Sequence, residues 1–180
     1  MNIVINANKT IDDVNVINDF SFYPNQISLV SNKSNNHKTD VSFNILPGKT
    51  VKETLFVKKY ILNKREIQAV FDRSYVNKMI KSPSHLIFLS SLVHLQKMIY
   101  IYMLYELGLP LNLDNKEYLK IWPTKIDIEL PKLITKTSDI VQSIRITTLR
   151  KTGDKSYFGK CISSIEGKTL IKADAVIYIL

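Results

Sequence analysis

The stretch that decides the fold is residues 84–108, SHLIFLSSLVHLQKMIYIYMLYELG. Apolar side chains surround most of it, which is typical of a helix buried on nearly every side. Ser84 follows Pro83 and can cap the start of such a helix, because a serine oxygen accepts the first unpaired backbone N–H groups. Gly108 can take the left-handed conformation that ends a helix, and Pro110 cannot continue it. The sequence therefore predicts one uninterrupted helix, about 36 Å long.

Strand-like segments flank this helix on both sides. Three precede it, at 41–46, 54–62 and 65–72, separated by Pro47-Gly48 and Asn63-Lys64. Four follow it, at 125–130, 140–149, 157–165 and 170–180. The short connections that contain Gly153 and Gly167 predict an antiparallel meander of the last three strands. This order predicts an α+β protein with the hotdog fold, in which an antiparallel sheet is wrapped around a long central helix.

The length and composition indicate a single globular domain with an extension at its start. Residues 1–39 are rich in Asn and Ser, and we interpret them as an N-terminal extension that forms edge strands or a lid. Residues 40–180 are then the hotdog domain. The only cysteine, Cys161, excludes an intramolecular disulfide and is expected to be a small core residue. With no signal peptide at the first residues, we expect a cytoplasmic protein.

The net charge of +9 suggests an acidic partner, such as an acyl carrier protein, the phosphates of a coenzyme or a nucleic acid. We expect no nucleic-acid binding, because the chain has no Arg-rich run, glycine-rich RNA-binding signature or zinc-finger spacing. We also expect no membrane span, since Lys97 near the middle of the helix would cost about 3 kcal/mol there. Neither a metal ion nor a cofactor is expected.

Projection of the helix at about 100° per residue places several candidate site residues on one stripe. They are His85, Leu89, Leu92, Gln96 and Tyr100. Gln96 and Tyr100 are one turn apart and can act as a pair, whereas His85 belongs to the helix entrance. His94 lies on the opposite side, and we expect it, with Lys97, to face solvent or a partner subunit. The helix carries no Asp or Glu before Glu106, which argues against a helix carboxylate as base or nucleophile.

Residues Ser74-Tyr75-Val76, Ser84-His85-Leu86, Gln96 and Tyr100 resemble the motif of the FcoT-like fatty-acyl thioesterase family. The resemblance extends over residues 50–180. The family pattern has a tyrosine before the helix, a histidine near the helix start, and a helix asparagine followed four residues later by tyrosine. Gln96 stands where the family has asparagine, and the gap between Tyr75 and His85 is longer here.

The resemblance implies a hotdog enzyme acting on an acyl group carried on coenzyme A or acyl carrier protein, working as a dimer or higher oligomer. It implies catalytic roles for Tyr75, Gln96 and Tyr100 and a substrate-binding role for His85. Leu89 and Leu92, which share the stripe, are also expected to bind the substrate. An amide N–H or phenol O–H can stabilise the negative charge that a thioester carbonyl gains. Two alternatives stay open: addition of glycine to an enoyl-acyl carrier thioester, and a non-catalytic acyl-binding module. Tyr100 and Gln96 could equally serve core packing.

Overall fold

The computed structural model describes residues 2–6, 26–30, 38–46, 49–77, 84–109 and 118–180. These residues form one helix, α1 (Phe88–Glu106), and nine strands. The strands are β1 (Asn2–Asn6), β2 (Gln26–Val30), β3 (Lys38–Leu46), β4 (Lys49–Asn63), β5 (Glu66–Asn77), β6 (Leu119–Glu129), β7 (Ile140–Gly153), β8 (Ser156–Ile165) and β9 (Thr169–Ile179).

All nine strands belong to one sheet with the order β1-β2-β4-β5-β7-β8-β9-β6, and β3 also pairs with β4. Every pairing is antiparallel except that of β1 with β2. The predicted meander of the last three strands is confirmed, since β7 pairs with β8 and β8 with β9. A turn at Gly167, whose φ is +64°, connects β8 to β9.

The core lies between α1 and one face of this sheet. Alternate residues of the central strands are buried, as period-two side-chain geometry requires; on β5 they are Ile67, Ala69 and Phe71. The ring of Phe71 contacts that of His94 on the helix edge-to-face, with centroids 5.0 Å apart. The predicted α+β architecture, a mostly antiparallel sheet packed on a long central helix, is therefore present.

The helix starts four residues later than Ser84, so the predicted start was wrong. Residues 84–87 precede the helix without helical structure, and Ile87 occupies the N-cap position with no side-chain cap. The backbone N–H of Ile87 instead donates to Glu53 Oε2 at 3.0 Å, and that of Leu86 donates to the Ile134 carbonyl at 2.7 Å. These bonds hold the segment against the sheet and loop, so that it cannot begin the helix.

The predicted end of the helix is confirmed at Gly108, whose φ is +65°. The N–H of Leu109 donates to the Leu104 carbonyl at 2.8 Å, and that of Gly108 donates to the Tyr105 carbonyl at 3.1 Å. This is the Schellman pattern, which satisfies the last carbonyls through a left-handed glycine. The helix is thus 19 residues long rather than spanning the whole predicted stretch.

The first 39 residues are described only at β1, β2 and the start of β3. Their division into an extension and a following domain stays a prediction, because most of the segment lies outside the described residues. No helix among the described residues is long and apolar enough to span a membrane.

Candidate functional site

Four residues of the predicted stripe lie along the more exposed side of α1, with Leu92 and Tyr100 packed partly against the core. His85 precedes the helix, so its predicted place on the stripe was wrong. Leu89 and Val93 are 37% and 41% exposed, Gln96 is exposed, and Leu92 and Tyr100 are half-buried. We call these five residues the outer face. It combines apolar side chains with one amide and one phenol, so it can bind an acyl chain and donate hydrogen bonds at the same surface.

Tyr100 has a structural partner as well as a place on the outer face. Its hydroxyl oxygen accepts the backbone N–H of Tyr118 at 3.1 Å, just before β6 begins. This contact fixes the position of the Tyr100 ring relative to the start of β6. Tyr100 therefore connects the helix to the edge of the sheet.

Tyr75 and His85 lie at the helix entrance, away from Gln96. The guanidinium of Arg73 lies 5.6 Å from the centroid of the Tyr75 ring and donates to Ser84 Oγ at 3.1 Å. Ser84 directly precedes His85 in the chain. Gln96, in contrast, lies eight residues beyond the first helical residue, a rise of about 12 Å. Within one chain the predicted catalytic residues and the predicted substrate-binding residue His85 therefore form two groups, Gln96 with Tyr100 and Tyr75 with His85.

A cavity of about 70 Å³ adjoins the helix entrance, and His85 is part of its wall. A single water needs about 15 Å³ by the same measure, so this space can hold a ligand group. The remaining wall comes from the start of α1, the loop after β6 and the first residue of β9: Leu86, Phe88, Ser91, Leu130, Lys132, Leu133, Ile134 and Thr169.

A fully buried ion pair, which the sequence reading missed, fixes the helix entrance. Arg73 on β5 donates from Nη1 to Glu53 Oε1 on β4 at 2.8 Å, and neither side chain has any exposed surface. Arg73 also donates from Nε to the Lys136 carbonyl at 2.9 Å, and the second oxygen of Glu53 accepts the Ile87 N–H. Buried charges are tolerated only when their remaining hydrogen-bonding capacity is met in this way.

A signal for this pair was present in the sequence. Glu53 occupies an inward position of the alternating pattern of β4, between the buried residues Val51 and Leu55. Arg73 continues the inward series of β5, two residues after Phe71. Two opposite charges on the core face of neighbouring strands predict a buried pair, because neither could be buried alone.

His94 is fully buried on the inner side of α1, so the prediction that it faces solvent or a partner was wrong. Its Nδ1 lies 2.9 Å from Gln142 Oε1, and the Gln142 amide nitrogen donates to Ser163 Oγ at 3.1 Å. The oxygen of Gln142 must then accept, which places the imidazole proton on Nδ1. Nε2 faces the Tyr60 hydroxyl at 3.5 Å. Helical projection gives relative angles only, and it did not reveal which side faces the sheet.

Burial lowers the pKa of His94 to about 4, with Gln142 opposing the shift, so the imidazole is neutral near pH 7. Lys97 is half-buried rather than solvent-facing, and burial lowers the pKa of its ammonium group. Cys161 is a buried core residue as predicted, and burial raises the pKa of its thiol to about 11. Among the described residues no three His, Cys, Asp or Glu side chains are grouped as metal ligands.

Comparisons with known proteins give weak likenesses only. No family model matches the chain, and no curated protein is significantly similar in sequence. A mutant of the thioesterase PA1618 from Pseudomonas aeruginosa is 8% identical, with a TM-score of 0.44 over 70% of this chain and 82% of that one. The thioesterase HI1161 from Haemophilus influenzae is 10% identical, with a TM-score of 0.41 over 66% and 76%. An HP0420 homologue from Helicobacter felis is 12% identical, with a TM-score of 0.39 over 66% and 73%.

These neighbours include thioesterases, but at such low identity and TM-score they assign neither a family nor an activity to this chain. The resemblance to the FcoT-like family stays a prediction.

Proposed function

We propose that this chain is an acyl-thioester enzyme, which hydrolyses or modifies a fatty-acyl group carried on coenzyme A or acyl carrier protein. The observation that carries the proposal is the outer face of α1. There an exposed amide, Gln96, lies beside the phenol of Tyr100 and along a row of apolar side chains. The apolar row suits an acyl chain, and the amide N–H suits the oxygen of a thioester carbonyl that gains negative charge.

The hotdog fold and FcoT-like membership are part of this proposal. They are supported by the order of strands, helix and meander, and by the sequence spacing from His85, just before α1, to Gln96 and Tyr100 on the helix, which has no carboxylate before Glu106. Tyr100 would orient the attacking water or amine, and Tyr75, which lies at the helix entrance within one chain, would reach it from a second copy of the chain. His85 would bind the carrier arm of the substrate at the entrance cavity, since it lies apart from Gln96 in the same chain.

A second copy of the chain would complete the site. The outer face leaves Val93 41% exposed, and Phe88, at the first position of α1, is 50% exposed. Covering them with another copy would bury this surface and exclude water from Gln96, which strengthens a hydrogen bond to a developing charge. We therefore propose a homodimer or higher oligomer.

The charge of the chain supports a carrier-bound substrate. A net charge of +9 complements the phosphates of coenzyme A or an acidic acyl carrier protein, and it raises the rate of encounter more than the final affinity. We propose a cytoplasmic location, because coenzyme A and acyl carrier protein are found there and because Cys161 stays a free thiol under its reducing conditions.

The test is incubation with acyl-CoA and acyl-carrier thioesters of several chain lengths, with and without glycine. Thiol release detected by a thiol reagent would establish hydrolysis, and a product mass increased by glycine would establish conjugate addition to an enoyl thioester. Absence of both products with every substrate would contradict the proposal. Gln68→Ala is the matched control for Gln96→Ala, because Gln68 points to the sheet face away from the helix, between the buried residues Ile67 and Ala69.

A non-catalytic acyl-binding module is the second candidate, and the Tyr100 contact favours it. A hydroxyl that anchors the Tyr118 N–H has a structural reason to be present without any catalytic one. This candidate predicts binding of acyl-CoA with no turnover, and the same affinity in Tyr100→Phe and Gln96→Ala. If the chain is an enzyme instead, these variants should lose turnover while they keep substrate binding.

A further inference from the structure

Six residues at one end of β6 to β9 lie together on the side of the sheet that faces away from α1. Ala175 and Ile177 of β9 are buried against the C-terminal half of the helix, and successive side chains of a strand alternate between the two sides of a sheet. Val176 therefore points away from the helix, as do the residues that pair with it on the neighbouring strands. We call the six residues the end patch: Lys120, Trp122, Arg150, Phe158, Val176 and Tyr178.

The end patch exposes aromatic side chains in adjacent rows. Trp122, the only tryptophan of the chain, is 62% exposed, and Tyr178 is 45% exposed. Cross-strand pairing sets Val176 between Trp122 and the half-buried Phe158. Side chains directly opposite each other on neighbouring strands are about 5 Å apart, so these groups form one continuous surface. Exposed apolar surface with a polar rim marks a binding site, and Trp, Tyr and Arg are the residues enriched at the centres of protein interfaces.

The charged groups around the end patch leave it positive. Lys120 lies opposite Tyr178, and Arg150 lies opposite Phe158. Among the described residues neither Lys120 nor Arg150 forms an ion pair. Further along the same side of the sheet, three carboxylates are each held by a lysine at 3.1 or 3.2 Å: Asp174 by Lys160, Asp127 by Lys125, and Glu129 by Lys172. The patch therefore offers two uncompensated cations beside an aromatic centre, which suits an acidic partner.

Three other occupants fit the end patch less well. A second copy of the chain, docked through the same patch about a two-fold axis, would bring like charges together. A single strand of nucleic acid needs a basic groove that follows its backbone, whereas the carboxylates of Asp174, Asp127 and Glu129 lie along this side of the sheet. Coenzyme A is a small ligand, and small ligands are usually held in clefts rather than on an open sheet face. An acidic protein is the partner that the patch fits.

The end patch adjoins the proposed active site across the edge of the sheet. Among the described strands β6 is the last in the sheet order, so it forms this edge. Tyr118, just before β6, donates its N–H to the hydroxyl of Tyr100 on the outer face at 3.1 Å. Lys120 follows Tyr118 by two residues, about 7 Å along the strand. A protein bound at the end patch can therefore pass a flexible arm over the edge towards Tyr100 and Gln96.

We infer that the end patch docks an acidic acyl carrier protein, and that acyl groups on this carrier are preferred to acyl groups on coenzyme A. This inference rests on the proposed function and names the partner of its site. The basic side chains raise the rate of encounter with the carrier, and the aromatic side chains hold the carrier once it is bound.

The first test is titration with an acyl carrier protein that lacks tryptophan and holds no acyl group, followed by the fluorescence of Trp122. Binding should change the emission, and it should weaken as salt is added. Lys120→Glu and Arg150→Glu should each raise the Kd about 10-fold or more, because they bring like charges together. Lys168→Glu is the matched control, because Lys168 is exposed in the turn at the opposite end of β8 and β9, and its Kd should equal that of the wild type.

The aromatic centre is tested by Trp122→Ala, with calorimetry in place of fluorescence. This variant should raise the Kd for the carrier roughly 30-fold, as loss of an interface hot spot does. Phe56→Ala is its matched control, because Phe56 is 46% exposed on the same side of the sheet, between the buried residues Leu55 and Val57 of β4. The same Kd in Trp122→Ala and Phe56→Ala would overturn the inference.

The second test compares kcat/KM for one acyl group on acyl carrier protein and on coenzyme A. Arg150→Glu should lower the ratio of the two values roughly 10-fold. An equal fall with both substrates, or no fall with either, would overturn the inference and leave the proposed function standing. Binding of a single-stranded oligonucleotide at the end patch, in place of the carrier, would overturn it as well.

If the wild-type protein turns over no thioester, the proposed function fails, and the Kd for the carrier tests the docking surface alone. A Kd that rises in Lys120→Glu and Arg150→Glu but not in Lys168→Glu supports the docking surface. The same Kd in all three variants refutes it.

Discussion

Two polar side chains on α1, two residues apart, have opposite surroundings. His94 is fully buried on the inner side, where Gln142 holds its Nδ1, whereas Gln96 is exposed on the outer side. The buried group is matched by partners from the sheet, as a buried polar group must be. Gln96 is exposed to water, so the fold does not require a protein hydrogen-bond partner for its amide. His94 therefore serves the fold, whereas the exposed amide of Gln96 is accessible to a ligand.

The largest effect on stability is expected at the buried ion pair. Arg73→Met leaves the carboxylate of Glu53 buried without its cation, which should lower the free energy of unfolding by about 3–5 kcal/mol. Urea unfolding measures this value. The double variant Glu53→Met with Arg73→Met should lose less than the sum of the two single variants. Additive losses would show that the pair is not a coupled unit.

A matched pair of leucines compares the two sides of the helix directly. Leu95, 3% exposed on the inner side, packs in the core, and Leu95→Ala should cost about 2–5 kcal/mol of stability. Leu89, 37% exposed on the outer face, should cost about 1 kcal/mol or less when changed to Ala. The free energies of unfolding of the two variants, measured in urea, test this difference. Equal losses would mean that the outer face is packed as tightly as the inner one.

The buried imidazole predicts a stability that falls in mild acid. The folded-state pKa of His94 is about 4, below the ordinary value of 6.5, so the unfolded chain binds more protons between these values. The contribution of the neutral His94 to the free energy of unfolding is therefore fully present above about pH 6.5, and it decreases as the pH falls towards 4. From about pH 7.5 to about pH 5 the loss should be roughly 2 kcal/mol.

Urea unfolding at the two pH values measures that loss. His94→Gln, which cannot titrate, should show a smaller dependence over this window. The same slope in both proteins would assign the effect to other groups.

The sequence predicted most of the architecture because its patterns are local. The alternation in β4, β5 and β7 to β9, the glycine at 108 and the apolar helix each depend on neighbouring residues. The start of α1 was missed because Glu53, distant in sequence, binds the N–H of Ile87. The burial of His94 was missed for a related reason, since its partner Gln142 lies 48 residues away.

The relative positions of the candidate residues on the helix were predicted in part. Helical spacing correctly placed Leu89, Leu92, Gln96 and Tyr100 on one side of the helix, because that depends only on the angle per residue. Spacing could not show that Tyr75 lies beside Arg73 at the helix entrance, apart from Gln96, because this depends on how β5 runs past α1. The catalytic and substrate-binding roles of these residues stay predictions.

The most direct test of the central claim is the turnover of Gln96→Ala beside its unfolding free energy. If Gln96 donates to the thioester oxygen, kcat should fall about 10²–10³-fold, as loss of one such donor typically does. Stability should stay within about 0.5 kcal/mol of wild type, since the residue is exposed. Turnover equal to wild type, with Gln68→Ala as the control, would contradict the assignment of the outer face of α1 as the active site.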